Sequence, residues 1–524
     1  MNALKNYCTQ TISATAICLL AGILGALPYY YEFLFILTFV SQIILFFVVI
    51  LQRRSRKRVF LPFFSYFIGF YSPLYFFLSE MYPYERFGFN ETQAIFIVIC
   101  SCVLIPLLHA VVEALIMMLS KLFPNSDFDI LGYSALWVIG EWVLSLGLLA
   151  FPWSSTAVSL TGFLPYIQTA SLFGKYFITF ITALICVSVA KCLIDKKPLL
   201  AYIAIGAFVL NTAGGLALRC IPAVNNENET VSVAMLQGNV LSNEKWVSAN
   251  EGTIFDRYIE MAEEAAKNGA EIIVIPESAI PLAFYENSRT HIALANIAKE
   301  YNVTFVAGIH YYENGVNGNS VIAVYPDGTL SERYDKRHLV PFGEFIPFVD
   351  FIGKYLPFVA EFNEGTSTLI EGEKPVVIET EHGSVTPLVC FDSIFPQFAR
   401  QGCKNGAEMI AVVTNDSWFN DSVGIYTHLR HAQIRAIENR KPILRAANTG
   451  VSAIINEKGS VIDASQPLEK AIVYSEITAN STKTLYNRIG DIVLYASFAI
   501  IVLLSAITII SKYKEKTDGN NSAS

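Results

Sequence analysis

The stretch Ile272-Ile273-Val274-Ile275-Pro276-Glu277-Ser278 decides how the polar half of this chain is read. An uninterrupted β-branched run stops at a proline and a carboxylate. A run this short cannot cross a bilayer, which takes about 20 helical residues. Its lack of alternation marks a strand covered on both faces. Similar runs recur on either side. Val231-Ser232-Val233-Ala234-Met235-Leu236 reads as a strand, Ile254–Lys267 as a helix with an apolar stripe, and Thr304-Phe305-Val306-Ala307-Gly308 as another strand. Val321–Tyr325 leads into Pro326-Asp327-Gly328, which is turn chemistry. Val385–Cys390 is a strand ending at a cysteine, and Met409–Thr414 ends at Asn415-Asp416. His428–Asn439 reads as a helix, and Val451–Ile455 as a strand before the Glu457-Lys458-Gly459 turn. Strands alternating with helices and hairpins predict a layered α/β domain over 221–485.

The remainder is of another kind. The chain has 524 residues, 53% of them hydrophobic and only 16% charged, with a mean hydropathy of +0.44. A soluble domain carries nearer a quarter charged residues, so the deficit points to lipid. Apolar runs of membrane length lie at 9–27, 33–51, 60–79, 93–120, 131–150, 167–190, 199–218 and 490–511, which predicts eight spans. Basic clusters sit at Lys5, Arg53–Arg58, Lys196-Lys197 and Lys512/Lys514/Lys516. Eight spans put all of these on one side, which the positive-inside rule makes cytoplasmic, and leave 221–485 outside the cytoplasm. The expected organisation is a seven-helix membrane domain over 1–220, the α/β domain over 221–485, a final span over 486–512 and a disordered cytoplasmic tail over 513–524. A net charge of −8 argues against a general nucleic-acid binder. The nine cysteines show no CxxC or Cys/His spacing, so neither a metal nor any cofactor is expected.

Three titratable residues stand at or near strand ends. Glu277 follows its strand, Lys336 lies in Tyr334-Asp335-Lys336-Arg337-His338, and Cys390 closes Thr386-Pro387-Leu388-Val389. A thiol at neutral pH is mostly protonated, so a nucleophilic cysteine needs a base or a cation beside it. Glu277 can take the proton and Lys336 can hold the oxyanion that forms when sulfur attacks a carbonyl. Taken singly each has a plain alternative: an inert core thiol, a helix cap, a solvated charge run.

Together, Pro276-Glu277-Ser278, Asp335-Lys336-Arg337-His338-Leu339-Val340-Pro341-Phe342-Gly343-Glu344 and Val389-Cys390-Phe391-Asp392 resemble the carbon–nitrogen hydrolase (nitrilase) superfamily. Within it they resemble the membrane-embedded apolipoprotein N-acyltransferase family, as do Asn415-Asp416-Ser417-Trp418-Phe419 and Arg445-Ala446-Ala447-Asn448-Thr449-Gly450. The resemblance covers nearly the whole chain and implies an αββα sandwich. It assigns Glu277 as general base, Lys336 as oxyanion stabiliser and Cys390 as nucleophile, with Glu344 positioning the lysine and the Phe391 N–H as second oxyanion donor. Trp246, beside Lys245, matches a residue on a loop over the active site. Trp153, in Phe151-Pro152-Trp153, matches an aromatic loop facing the domain from the membrane. Both Trp246 and Trp153 can also be read as interfacial anchors. Trp418 is a further substrate-binding candidate. Many members carry Cys-Tyr-Glu where this chain has Cys390-Phe391-Asp392, so a phenol hydroxyl is lost and the carboxylate is one methylene shorter. Asp392 is therefore expected only behind the triad.

The implied partners are a phospholipid acyl donor, a diacylated apolipoprotein acceptor and membrane lipid, with no nucleic acid, for a monomer in a bacterial inner membrane. Three rival readings stay open: a membrane-tethered amidase in which water is the acceptor, an inactive scaffold for a lipid enzyme, and a transporter. For the transporter, the spans offer only Glu113 and Glu141, expected at a lipid-facing cleft or an interface, and no paired ion pathway. Cys403 is read as a free structural thiol. His428 and His431 are read as structural rather than metal-binding. Arg430, Arg435 and Arg440 are read as a helix face bonded to carboxylates or carbonyls.

Overall fold

The computed structural model describes residues 10–55, 59–82, 90–222, 230–341, 343–355 and 369–521. Lys5, Cys8, Arg56–Arg58 and Phe342 lie outside the described residues. Among the described residues, seven helices are long and apolar enough to cross a membrane. Six precede the α/β domain: α1 (Thr11–Tyr30), α2 (Ile36–Arg54), α3 (Phe60–Leu74, extended by a 3-10 turn to Met81), α4 (Glu91–Met118), α6 (Lys175–Asp195) and α7 (Pro198–Cys220). The seventh, α12 (Ile492–Asn521), follows it. It remains helical to Asn521, through the stretch expected to be disordered.

The fifth expected span, 131–150, is shorter than its apolar run. Helix α5 covers only Asp129–Val143. Beyond it Gly147 takes φ +75° and Phe151 N–H donates back to the Leu144 carbonyl at 3.0 Å, so the chain loops instead of continuing. The short helix still runs from one end of the bundle to the other. At its start Asp129 pairs with Lys191 and with Arg53 at 3.4 Å; nearby, Arg54 pairs with Asp195, and Lys197 with Asp127 at 2.8 Å. At its far end Glu141 accepts from Thr156 N–H at 2.8 Å and from the Thr179 hydroxyl at 2.9 Å. The basic residues of the α2, α6 and α7 ends thus gather at one face of the bundle, opposite the α/β domain. Glu113 and Glu141 are both buried and line one cavity of about 30 Å³ among the helices.

The α/β domain is two sheets packed face to face. Its strands are β1 (Val231–Gln237), β2 (Ile272–Ile275), β3 (Ala283–Phe284), β4 (Thr304–Glu313), β5 (Val316–Val324), β6 (Tyr334–Asp335), β7 (Ile378–Thr380), β8 (Gly383–Val389), β9 (Met409–Thr414), β10 (Ile443–Ala447), β11 (Ala453–Ile455), β12 (Val461–Ala464) and β13 (Ala471–Ile477). The first sheet runs β13-β1-β2-β4-β5-β6 with β3 beside β4, the second β12-β11-β10-β9-β8-β7. Strands β1, β2 and β4 are mutually parallel, as are β8, β9 and β10. Val233, Met235, Val274 and Val306 of one sheet meet Val385, Val389, Ala411 and Val413 of the other in the inter-sheet core. Helices α8 (Glu251–Lys267) and α9 (Arg289–Tyr301) bury their apolar stripes on the outer face of the first sheet. Helices α10 (Pro396–Lys404) and α11 (Val423–Asn439) cover the second. These are the αββα layers that the resemblance implied, with both covered faces explaining the unbroken apolar runs.

Helix α11 also joins the halves. The Arg430 guanidinium donates to Glu32 Oε1 at 2.9 Å and to the Tyr29 carbonyl at 2.7 Å, and Arg440 donates to Gln168 Oε1 at 2.8 Å. Arg435 pairs with Glu438 at 3.1 Å, and Glu438 in turn accepts from the Lys175 N–H at 2.8 Å.

Candidate active site

Parallel strands deliver side chains from their C-terminal ends, and here both sheets do so toward one point. Glu277 leaves the end of β2, Cys390 the end of β8 and Asn415 the end of β9; Asn319 projects from β5 and Lys336 follows β6. Cys390 sits at φ +48°, a left-handed turn costing about 1–3 kcal/mol for a residue with a side chain. That turn takes the chain abruptly from β8 into a 3-10 helix, Cys390–Ile394, leaving the thiol at the corner.

Glu277 is buried and held at both oxygens. Oε1 accepts from Asn319 Nδ2 at 2.7 Å and lies 3.3 Å from Lys336 Nζ, while Oε2 accepts from Asn415 N–H at 2.7 Å. Lys336 Nζ donates to Glu344 at 2.9 Å, and Glu344 is itself fixed by Asn319 Nδ2 at 2.9 Å and Val340 N–H at 2.8 Å. Burial works against the Lys336 charge, but the Glu277 and Glu344 carboxylates outweigh it and hold the ammonium well above the ordinary lysine range. Burial pushes the Cys390 thiol up, the Glu277 carboxylate adds to this, and Lys336 opposes it only in part. The resting sulfur is therefore a thiol, and it ionises only as a base takes its proton.

Asp392 lies behind this group, and its side chain is fully partnered. Its carboxylate accepts from the Tyr334 hydroxyl at 2.8 Å, His338 N–H at 2.9 Å and Arg337 N–H at 3.2 Å. It thereby fixes the backbone immediately after Lys336. Burial raises its carboxyl to about 6, with Lys336 and these donors pulling the other way.

Phe391 is buried in an aromatic stack that comes from the helical half. Phe151 and Trp153 are parallel to each other at 5.4 Å, and Phe391 lies 5.9 Å from the Phe151 ring and 5.6 Å from His338. Trp153 is 2% exposed, so the interfacial-anchor reading fails for it: it is internal packing between the bundle and the nucleophile. Trp246 is exposed, edge-on to His310 at 5.4 Å; the neighbouring Lys245 ammonium donates to the Glu277 carbonyl at 3.2 Å. Trp418 is half-buried on the turn closed by Phe419 N–H donating to the Asp416 carbonyl at 3.0 Å.

The sequence reading missed Asn319, Tyr334 and the group under Cys390. His428 Nδ1 lies 2.9 Å from Asp416 Oδ1, and Asp416 Oδ2 accepts from Arg445 at 2.7 Å. Burial notwithstanding, Arg445 and His428 hold the Asp416 carboxyl down at about 2. Among the described residues Cys390, Asp416 and His428 bring ligand-type atoms within 4.8 Å of one another. The carboxylate is already committed to a guanidinium and an imidazole, which opposes binding of a cation.

This arrangement has relatives. Residues 21–188 match the model of the apolipoprotein N-acyltransferase N-terminal domain, and residues 232–487 that of the carbon-nitrogen hydrolases. The apolipoprotein N-acyltransferase of Vibrio vulnificus is 30% identical over 386 residues, which span 72% of this chain and 74% of that one. The chain belongs to the apolipoprotein N-acyltransferase family. The Geobacter metallireducens apolipoprotein N-acyltransferase is 29% identical over 391 residues, 72% of this chain and 74% of that one. Among solved structures, Saccharomyces cerevisiae Nit3, a member of branch 10 of the nitrilase superfamily, matches with a TM-score of 0.39 at 19% identity, over 49% of this chain and 93% of that one. In this chain the carbon-nitrogen hydrolase layers are joined to a domain of helices long and apolar enough to cross a membrane.

Proposed function

We propose that the protein transfers an acyl chain from a phospholipid to the α-amine of the N-terminal diacylglyceryl-cysteine of apolipoproteins, through a thioester on Cys390. The observation that carries this reading is the aromatic stack from Phe151 and Trp153 to Phe391: the residue next to the thiol packs directly on the membrane domain. A lipid ester therefore reaches sulfur without leaving the bilayer surface, a placement that a soluble amide substrate does not need.

In the first step Glu277 takes the Cys390 proton and sulfur attacks the ester carbonyl. Lys336 and the Phe391 N–H hold the oxyanion. The C–O bond then breaks, the leaving lysophospholipid oxygen takes the proton from Glu277, and the thioester remains. In the second step the acceptor amine attacks the thioester, Glu277 takes its proton, the C–S bond breaks, and Glu277 returns the proton to sulfur. Glu344 keeps Lys336 in line, Asp392 fixes the backbone after it, Trp246 and Trp418 border the substrates, and Trp153 packs behind them against Phe391. The domain boundaries follow the sequence reading: membrane helices to 220, catalytic layers over 221–485, a last span after 486. The basic face of the bundle is cytoplasmic and the catalytic domain periplasmic, in a bacterial inner membrane; the protein acts as a monomer.

The test is acylation of a diacylglyceryl-cysteine peptide by purified protein in phospholipid vesicles. Wild type yields an amide on the peptide N-terminus and Cys390→Ala yields none. Release of free fatty acid without amide would replace the transferase by a hydrolase.

A further inference from the structure

His428 lies on α11 under the nucleophile, with a ring nitrogen within 4.8 Å of the Cys390 sulfur. Its Nε2 is 3.1 Å from the Cys390 carbonyl oxygen and its Nδ1 2.9 Å from Asp416 Oδ1. The Cys390 carbonyl can only accept, so Nε2 donates to it, while Nδ1 faces Asp416 Oδ1 and, at 3.3 Å, an Arg445 guanidinium nitrogen. The Ser393 hydroxyl donates to the same Cys390 carbonyl at 2.8 Å and lies 2.9 Å from His428 Nε2. Asp416 is in turn anchored by Arg445 at 2.7 Å and by the Thr414 hydroxyl at 3.0 Å. All of this buried hardware ends on one carbonyl, that of the residue at φ +48°.

That carbonyl shares a peptide plane with the Phe391 N–H. In a trans peptide the two point in opposite directions. His428 and α11 cover the outer face of the second sheet, so the Cys390 carbonyl is drawn outward. The Phe391 N–H is then turned inward, toward the first sheet that carries Lys336 and Glu277. Phe391 is the second residue of the 3-10 helix, so its N–H is among the first amides, which a helix leaves without an internal acceptor.

We propose that His428, clamped by Asp416, is the positioning residue of the oxyanion hole: it holds the Cys390–Phe391 peptide in the one orientation that aims the Phe391 N–H at the developing oxyanion. The inference deepens the acyl-transfer reading and rests on it for the natural substrate, but it concerns any acyl group that Cys390 accepts. Without the clamp the peptide is free to turn over, presenting a carbonyl where a donor is needed.

The experiment compares acylation of Cys390 with a reaction of the same sulfur that forms no oxyanion. Acylation is followed by intact mass in the full-length protein, with phospholipid vesicles and separately with p-nitrophenyl butyrate. The comparison reaction is S-methylthiolation by methyl methanethiolsulfonate, a displacement at sulfur in which the Cys390 S–S bond forms, the S–SO2 bond breaks and methanesulfinate leaves. His428→Leu is expected to slow acylation by about 10²–10³-fold, the usual loss of one oxyanion donor, while methyl methanethiolsulfonate reacts within about threefold of wild type. His428→Gln, which keeps an N–H donor near the Nε2 position, recovers a large part of the rate, and Ser393→Ala loses less than His428→Leu. Acylation of His428→Leu at the wild-type rate overturns the proposal. So does a parallel loss of both reactions in His428→Leu and His428→Gln, which marks a structural role. If wild type is acylated by p-nitrophenyl butyrate and not by phospholipid, the lipid reading fails, and the comparison on the nitrophenyl ester still decides the role of His428.

Discussion

Lys336 is the cation held between two carboxylates, and its removal is the simplest test of its share in the chemistry. Lys336→Gln is expected to slow Cys390 acylation about 10²–10³-fold with the protein still folded, as single-turnover mass measurements will show. The pH profile of the wild type carries a second signature. The Asp392 carboxyl is raised to about 6, so it gains its proton as pH falls through that value. A protonated Asp392 loses acceptor capacity for Tyr334 and the Arg337 and His338 amides, and the backbone behind Lys336 loosens. Acylation is therefore expected to decline on the acid side of about pH 6. Asp392→Asn should be slow at all pH values and lack that limb in rate–pH measurements.

At the scale of elements, the site depends on how closely β4 passes the end of β2. A Cβ on Gly308 would lie 2.4 Å from the Pro276 carbonyl oxygen and 2.7 Å from Glu277 Cα. Gly308→Ala must displace Glu277 from Asn319, Asn415 and Lys336. The expected outcome is a loss of acylation of tenfold or more without loss of the fold, read by single-turnover kinetics beside a thermal melt. The strands behind this site were legible because both faces are covered, so Ile272–Ile275 and Met409–Thr414 are unbroken apolar runs. Glu277 and Cys390 were legible because each ends such a run. Asn319 was not, because an amide inside a strand has no local pattern that separates a site residue from a satisfied core one. His428 was read as a structural helix residue and Asp416 as a member of a motif, since their meeting under Cys390 depends on α11 lying across the second sheet. Helix α5 came out short for a reason visible only in three dimensions: Gly147 and Pro152 turn the end of its apolar run into the loop that carries Trp153. The tail after Lys512 failed the opposite way, its polar composition masking the continuation of α12.

At the scale of the molecule, the helical bundle and the hydrolase layers act as one device because α11 serves both. It covers the second sheet, supplies His428 under the thiol, and extends Arg430 into the bundle, where Glu32 and the Pro28 and Tyr29 carbonyls receive it. Removing one partner of a buried charged pair typically costs about 3–5 kcal/mol. Arg430 is buried and Glu32 is half-open to solvent, so Arg430→Ala is expected toward the lower end of that range. Its unfolding temperature in detergent should fall, and transfer from phospholipid should fall more than transfer from a soluble nitrophenyl ester, because the Phe151–Trp153 loop is no longer held against Phe391. The claim on which everything else rests is that Cys390 carries the acyl group. Intact-mass analysis of the purified protein after incubation with phospholipid vesicles, beside Cys390→Ala, measures it most directly. A hydroxylamine-labile adduct of one acyl chain on wild type, absent from the variant and discharged as an amide by a diacylglyceryl-cysteine peptide, is the predicted result. An unmodified wild-type protein that nonetheless acylates the peptide, or an adduct that persists in Cys390→Ala, would contradict it.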